Sequence, residues 1–175
     1  QDNERLQKHY LPKVKQVQAQ FHVISGDYKQ AVRLLRSALE EFGDNLFEQI
    51  QTLEQIIGYD LAYLRGNNNK KEIESFLGNL SNFRARLFNA RGLIETKNQV
   101  NDMLFYKTTT GAAIFAHAIL FTGLRNDSAM AADALDLWLF SINGFLDWKM
   151  AGRAAIELSH LKNLGSGDVS IMLQV

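Results

Sequence analysis

Apolar residues recur at steps of three and four along most of the chain, and this spacing predicts amphipathic helices. In the first such segment, 4–25, the spacing is carried by Leu6, Tyr10, Val14, Val17, Phe21 and Ile24. The same pattern predicts further helices at 28–42, 46–64, 70–89 and about 99–124, with a short segment at 92–97. A helix that is apolar on two sides is expected at 130–161, where Leu135, Trp138, Leu139, Ile142, Phe145 and Leu146 share a face. We expect this last helix to be the central pillar of a helical bundle, with other helices packed against most of its surface.

Turn signals separate these segments. Gly26 and Asp27 end the first helix, and the Asp27 carboxylate is placed to cap the second by accepting backbone N–H groups. Polar breaks follow at 43–45, 65–69 and 125–128, the chain has a single proline, and no segment alternates as a strand does. The sequence therefore predicts an all-α fold, with about six to eight helices in one or two up-and-down bundles.

Composition excludes several classes of function. Lysine plus arginine and aspartate plus glutamate number 19 each, so the formal net charge is zero, which argues against direct nucleic-acid binding. The chain has no cysteine, which rules out disulfides and thiolate metal sites. The most apolar run, 111–124, is shorter than the roughly 20 residues that a membrane-spanning helix needs.

Catalytic chemistry is not expected. The four histidines lie far apart and show no paired metal-ligand spacing, so we predict neither a metal site nor a cofactor. The paired carboxylates fall on helix faces that the pattern predicts to be exposed, and nothing indicates a pocket that would shift their pKa values. We therefore expect a protein that is not an enzyme.

Several polar residues beside apolar positions are candidates for ligand binding: Arg84, Arg91, Thr108, Lys149 and Arg153. A partly buried cation is costly unless it meets an anion, a carboxylate or a carbonyl. Each cation therefore either pairs with a nearby acidic side chain or converges with another on a small anion between helices. The Thr108 hydroxyl either contacts that ligand or bonds to the carbonyl of the preceding helical turn.

A different reading applies to the first two predicted helices. Gly26, Asp27, Tyr28, Ala31 and Ala38 stand at the offsets of one tetratricopeptide unit, although no second copy follows at the period of 34 residues. Any tight helical hairpin also favours glycine at its turn and small residues where its helices touch. The alternative function from this pattern is a helical-repeat module that binds a peptide or protein partner.

Three motifs in order resemble the nitrate- and nitrite-sensing (NIT) domain of bacterial receptors and regulators: 53–59 (LEQIIGY), 89–95 (NARGLIE) with 105–108 (FYKT), and 148–155 (WKMAGRAA). Ile57 and Ala155 stand where the family's motifs have arginine. If the domain is of this type, Arg91 and Arg153 supply charge from neighbouring positions, it senses something other than nitrate, or it has lost the ligand.

The resemblance implies a single sensory-type domain over 1–175, with an N-terminal hairpin at 1–45 and a NIT-like bundle at 46–175. It further implies a nitrate-like or other small anionic ligand held between helices, a homodimer, and an output signalling module in the full-length protein. Such a domain is either the periplasmic part of a membrane receptor or part of a cytoplasmic regulator.

Overall fold

A computed structural model describes residues 2–65, 69–97, 102–122 and 128–145. These residues form α1 (Asp2–Ile24), α2 (Tyr28–Glu41), α3 (Leu46–Leu64), α4 (Lys70–Lys97), α5 (Asp102–Thr122) and α6 (Ser128–Phe145). The described ranges contain no strand, which confirms the all-α prediction. The chain divides into two compact units, 1–93 and 94–175, and the division falls within α4. The predicted partition at residue 45 and its sensory interpretation stay predictions.

Short capped turns make the first three helices neighbours in the N-terminal unit. Gly26 adopts φ +80°, a conformation that favours glycine, and its N–H donates to the Val23 carbonyl at 2.9 Å. The Asp27 carboxylate then accepts the Gln30 N–H at 3.1 Å, as the sequence predicts. Asn45 caps α3 in the same way. Because these connections are short, α2 packs against both α1 and α3.

The face by which α1 packs is not its apolar stripe. Pro12, Gln16 and Ala19 are buried on α1. The large apolar residues from Tyr10 onward that mark the helix in the sequence are exposed: Tyr10, Val14, Val17, Phe21 and Ile24. Ala19 joins Ala31 of α2 in one cluster of buried residues, with Val32, Leu35 and Ile56. Small residues at this contact let the two helices approach closely, and Val23 of α1 also packs against the cluster as a partly buried residue.

A buried hydrogen bond also joins α1 to α3. The Gln16 side-chain amide donates to the Thr52 hydroxyl at 2.9 Å, and that hydroxyl donates to the Glu48 carbonyl at 2.7 Å. Thr52 is fully buried and Gln16 is 8% exposed. The polar residue on the inward face of α1 is therefore matched by a polar partner, as burial requires.

The predicted break between helices at 89–92 is wrong, because α4 runs without interruption from Lys70 to Lys97. Its buried positions continue at helical spacing past Gly92: Phe76, Leu80, Phe83, Leu87, Ala90 and Ile94. A glycine in a helix interior costs only about 1 kcal/mol relative to alanine. The continuous apolar face outweighs that cost.

In the C-terminal unit, α5 and α6 pack against each other, with the Phe105 and Phe140 rings edge to face at 5.7 Å. The fully buried face of α6 is formed by Ala131, Ala134, Leu137 and Ser141. Leu135, Trp138 and Leu139 were predicted to lie on the buried face of the pillar, but they are only half-buried, so the prediction is wrong for these three residues. Residues 146–161 of the predicted pillar lie outside the described residues. Within the described ranges, no helix has the length and hydrophobicity of a membrane span.

Candidate functional site

Three of the five residues predicted to bind a ligand lie in the part of the chain that the structure describes, and the ligand role of all five stays a prediction. Arg84 and Arg91 are half-buried on α4, about 10 Å apart along the helix, and both already have interaction partners. The Thr108 hydroxyl is fully buried and donates to the Leu104 carbonyl at 2.7 Å, which is the structural alternative for this residue. Lys149 and Arg153 lie outside the described residues.

A cleft of about 320 Å³ lies elsewhere, between α2, α3 and α4 of the N-terminal unit. Ligand pockets in proteins begin at about this size, so its capacity suits a small guest. Its walls combine cations and hydroxyl groups with two carboxylates, and they are formed by Lys29, Val32, Arg33, Arg36, Asp60, Tyr63, Leu64, Glu72 and Ser75.

Lys29 and Glu72 close one side of the cleft. The Lys29 ammonium lies 2.6 Å from the Glu72 carboxylate and 5.1 Å from the centre of the Tyr63 ring. The Tyr63 hydroxyl donates to the same carboxylate oxygen at 3.2 Å. The hydrogen bond to Glu72, followed by the interaction with Tyr63, raises the pKa of Lys29 above its ordinary value. Lys29 therefore stays charged at neutral pH.

Asp60 lies deeper in the cleft. Burial raises the pKa of its carboxyl, and the nearby charge of Glu72 adds to that effect. The Asn79 amide, which donates to Asp60 at 2.7 Å, and the charge of Arg36 oppose the rise without cancelling it. The Asp60 carboxyl therefore takes up a proton at a higher pH than an exposed aspartate does.

The cations stand along one helix. Lys29, Arg33 and Arg36 follow the i, i+4, i+7 spacing of a single face of α2. The Arg36 guanidinium donates to the Ser75 hydroxyl at 2.6 Å, which ties α2 to α4. Among the described residues, none forms a hydrogen bond or ion pair with Arg33. Three cations thus face two carboxylates, one of them with a raised pKa.

No group of histidine, cysteine or acidic side chains suited to a metal ion occurs within the described residues. Comparisons of the chain with protein-family models, with curated proteins and with solved structures find no match. The resemblance to nitrate- and nitrite-sensing domains therefore stays a prediction. Sequence reasoning missed the cleft, although the spacing of Lys29, Arg33 and Arg36 was a visible sign of a basic helix face.

Proposed function

We propose that this chain is a non-enzymatic sensory domain and that its N-terminal unit binds a small anion in the cleft between α2, α3 and α4. The observation that carries the proposal is the row of three cations on α2, in which Arg33 has no partner among the described residues. A planar guanidinium presents paired N–H donors that match the two oxygens of a carboxylate or a nitrate. An anion at Arg33 satisfies donors that otherwise face only water.

The contacts around the cleft supply a way to relay binding. Lys29 and Arg36 of α2 bond to Glu72 and Ser75 of α4. An anion between the three cations competes with Glu72 for Lys29 and thereby loosens one of the contacts between the two helices. Ligand binding then shifts the packing of α2 against α4, and an attached signalling module reads the shift.

The second candidate function is a helical module that binds a peptide or protein. A repeat-type hairpin is consistent with the turn geometry at Gly26 and with the burial of Ala31 and Ala38. The two aromatic side chains that α1 exposes are the kind of residue that contacts a polypeptide partner. In this reading, the cleft receives a carboxylate that belongs to a polypeptide partner. The two candidates share the anion chemistry of Arg33 and differ in the size of the guest.

Calorimetric titration of the full chain with nitrate, nitrite and small carboxylates tests the proposal. We expect saturable binding by at least one of them, weakened about tenfold or more by Arg33→Gln because a charged hydrogen bond contributes about 1.5–3 kcal/mol. Lys97→Gln is the matched control, since it removes one exposed positive charge outside the cleft. Binding that Arg33→Gln leaves unchanged, or no binding by any of these anions, contradicts the proposal.

A further inference from the structure

The outward face of α1 is an apolar stripe on the surface of the N-terminal unit. Its exposed fractions range from 48% at Val14 to 82% at Ile24, and Phe21 is 67% exposed. The complete stripe, called here the α1 stripe, consists of Tyr10, Leu11, Val14, Val17, Phe21 and Ile24. The buried residues Gln16 and Ala19 of α1 contact α3 and α2, so the α1 stripe lies on the exposed side of the helix, away from those contacts.

The extent of the α1 stripe matches an interface. Tyr10 and Phe21 alone expose roughly 200–300 Å², because an aromatic side chain offers about 150–250 Å² when fully exposed, and four aliphatic residues that are about half exposed or more extend the patch. The largest apolar patch on a typical monomer covers about 300–600 Å². A specific interface of standard size buries about 800 Å² on each partner. The α1 stripe is large enough to form the apolar centre of an interface of standard size, with the polar residues beside it as the rim.

The spacing of the α1 stripe identifies its occupant. Tyr10, Val14, Val17, Phe21 and Ile24 alternate steps of four and three, which is the seam of a two-helix coiled coil. We propose that a second copy of this chain covers the α1 stripe, with the two α1 helices antiparallel about a two-fold axis. Tyr10 then lies opposite Phe21 of the partner subunit, and Val14 lies opposite Val17 of the partner subunit. Large side chains meet at both ends and small ones at the centre.

Charge does not oppose this pairing. The positions flanking the seam are Leu11, Lys13, Gln18 and Gln20, so each copy brings one charge to the rim. Lys13 is already paired with Glu48 of its own chain at 3.0 Å. In the antiparallel arrangement, Lys13 faces a glutamine of the second copy and no like charge. The interface is therefore self-complementary, as two-fold symmetry requires.

Sedimentation velocity of the full chain over a range of concentrations tests the proposal. We expect a dimer whose dissociation constant rises about 100-fold or more with Phe21→Lys, since two-fold symmetry removes the aromatic anchor twice. Met103→Lys is the matched control, because Met103 is 65% exposed on α5 and lies outside the α1 stripe. Circular dichroism verifies that both variants remain helical. A monomer at all concentrations, or a dimer that Phe21→Lys leaves intact, overturns the proposal.

A mixture of two charged variants tests the antiparallel register. Val14→Glu and Val17→Lys each place a charge in the centre of the seam, and each variant alone is expected to be monomeric. Mixed in equal amounts, they form a heterodimer in which Glu at 14 meets Lys at 17 of the other copy while the second central layer keeps both valines. Failure of the mixture to associate overturns the antiparallel register. The assay involves no anion, so its outcome is independent of the proposed ligand function.

Discussion

The buried hydrogen bond between Gln16 and Thr52 provides a quantitative test of how α1 packs. Thr52→Val keeps the shape of the side chain but removes the hydroxyl that accepts from the Gln16 amide at 2.9 Å. A buried donor left without a partner costs about 1–3 kcal/mol. The free energy of unfolding is therefore expected to fall by that amount, since Gln16 is only 8% exposed.

A double-mutant cycle separates this cost from the effects of shape. In a Gln16→Leu background no donor is left unpaired, so Thr52→Val is expected to be nearly neutral. Thr108→Val is the control, because the Thr108 hydroxyl is equally buried but donates only within its own helix, to the Leu104 carbonyl. Urea unfolding followed by circular dichroism gives each free energy. Equal costs of Thr52→Val in both backgrounds, within about 0.5 kcal/mol, would refute the α1–α3 contact.

Three further experiments, each based on substitutions, test the packing, the cleft and a cap. Leu35→Ala, in the buried cluster of the N-terminal unit, is expected to lower the free energy of unfolding by about 3 kcal/mol. Leu34→Ala, at a partly buried position, is expected to lower it by clearly less. Equal losses of the two variants in urea unfolding would contradict this core. Burial raises the pKa of Asp60, so its contribution to stability is complete below the ordinary carboxyl pKa and is lost as pH rises through the raised value. Asp60→Asn is therefore expected to gain stability over the wild type as pH increases across that window, and thermal unfolding at a series of pH values that shows no such trend would contradict it. Asp27→Ala removes the acceptor for the Gln30 N–H and is expected to lower the free energy of unfolding by about 1 kcal/mol. Asp27→Asn keeps an acceptor and is expected to lower it only slightly. The melting temperature of Asp27→Ala is therefore expected to lie below that of Asp27→Asn, and the reverse order would contradict the cap.

The boundaries of the early helices were predictable because local chemistry sets them. Asp27 and Asn45 cap α2 and α3 through contacts with residues three positions later, and a glycine precedes each cap in the turn. Such interactions involve neighbours in the sequence, so a pattern of residue types is enough to locate them. The all-α class followed from the same patterns.

The face by which α1 packs was not predictable from its pattern. Periodicity shows that a helix has an apolar side, but it does not show which neighbour covers that side. Here Ala19 and Ala31 lie in the buried cluster that joins α1 to α2, and their small side chains do not stand out in a hydrophobic pattern. The break expected at 89–92 failed for a related reason, because the apolar face of α4 continues past Gly92.

The cleft depends on contacts between helices that are distant in the sequence. The row of cations on α2 was visible beforehand, but the ion pair of Lys29 with Glu72 and the donation from Arg36 to Ser75 arise only when α2 and α4 come within side-chain reach of each other. Arg84 and Arg91, the arginines of α4 predicted from the sequence to bind a ligand, each take part in an interaction of their own. Lone polar residues beside apolar positions are commonly satisfied within the fold.

The reactivity of single thiols tests most directly whether α1 packs through Gln16 and leaves the α1 stripe outside. The chain has no cysteine, so Gln16→Cys and Phe21→Cys each carry one thiol. At concentrations low enough to dissociate a dimer, we expect the thiol at 21 to react with a small reagent at nearly the rate of an unfolded chain, while the thiol at 16 stays protected. Equal rates, or protection at 21 with rapid reaction at 16, would contradict this orientation of α1.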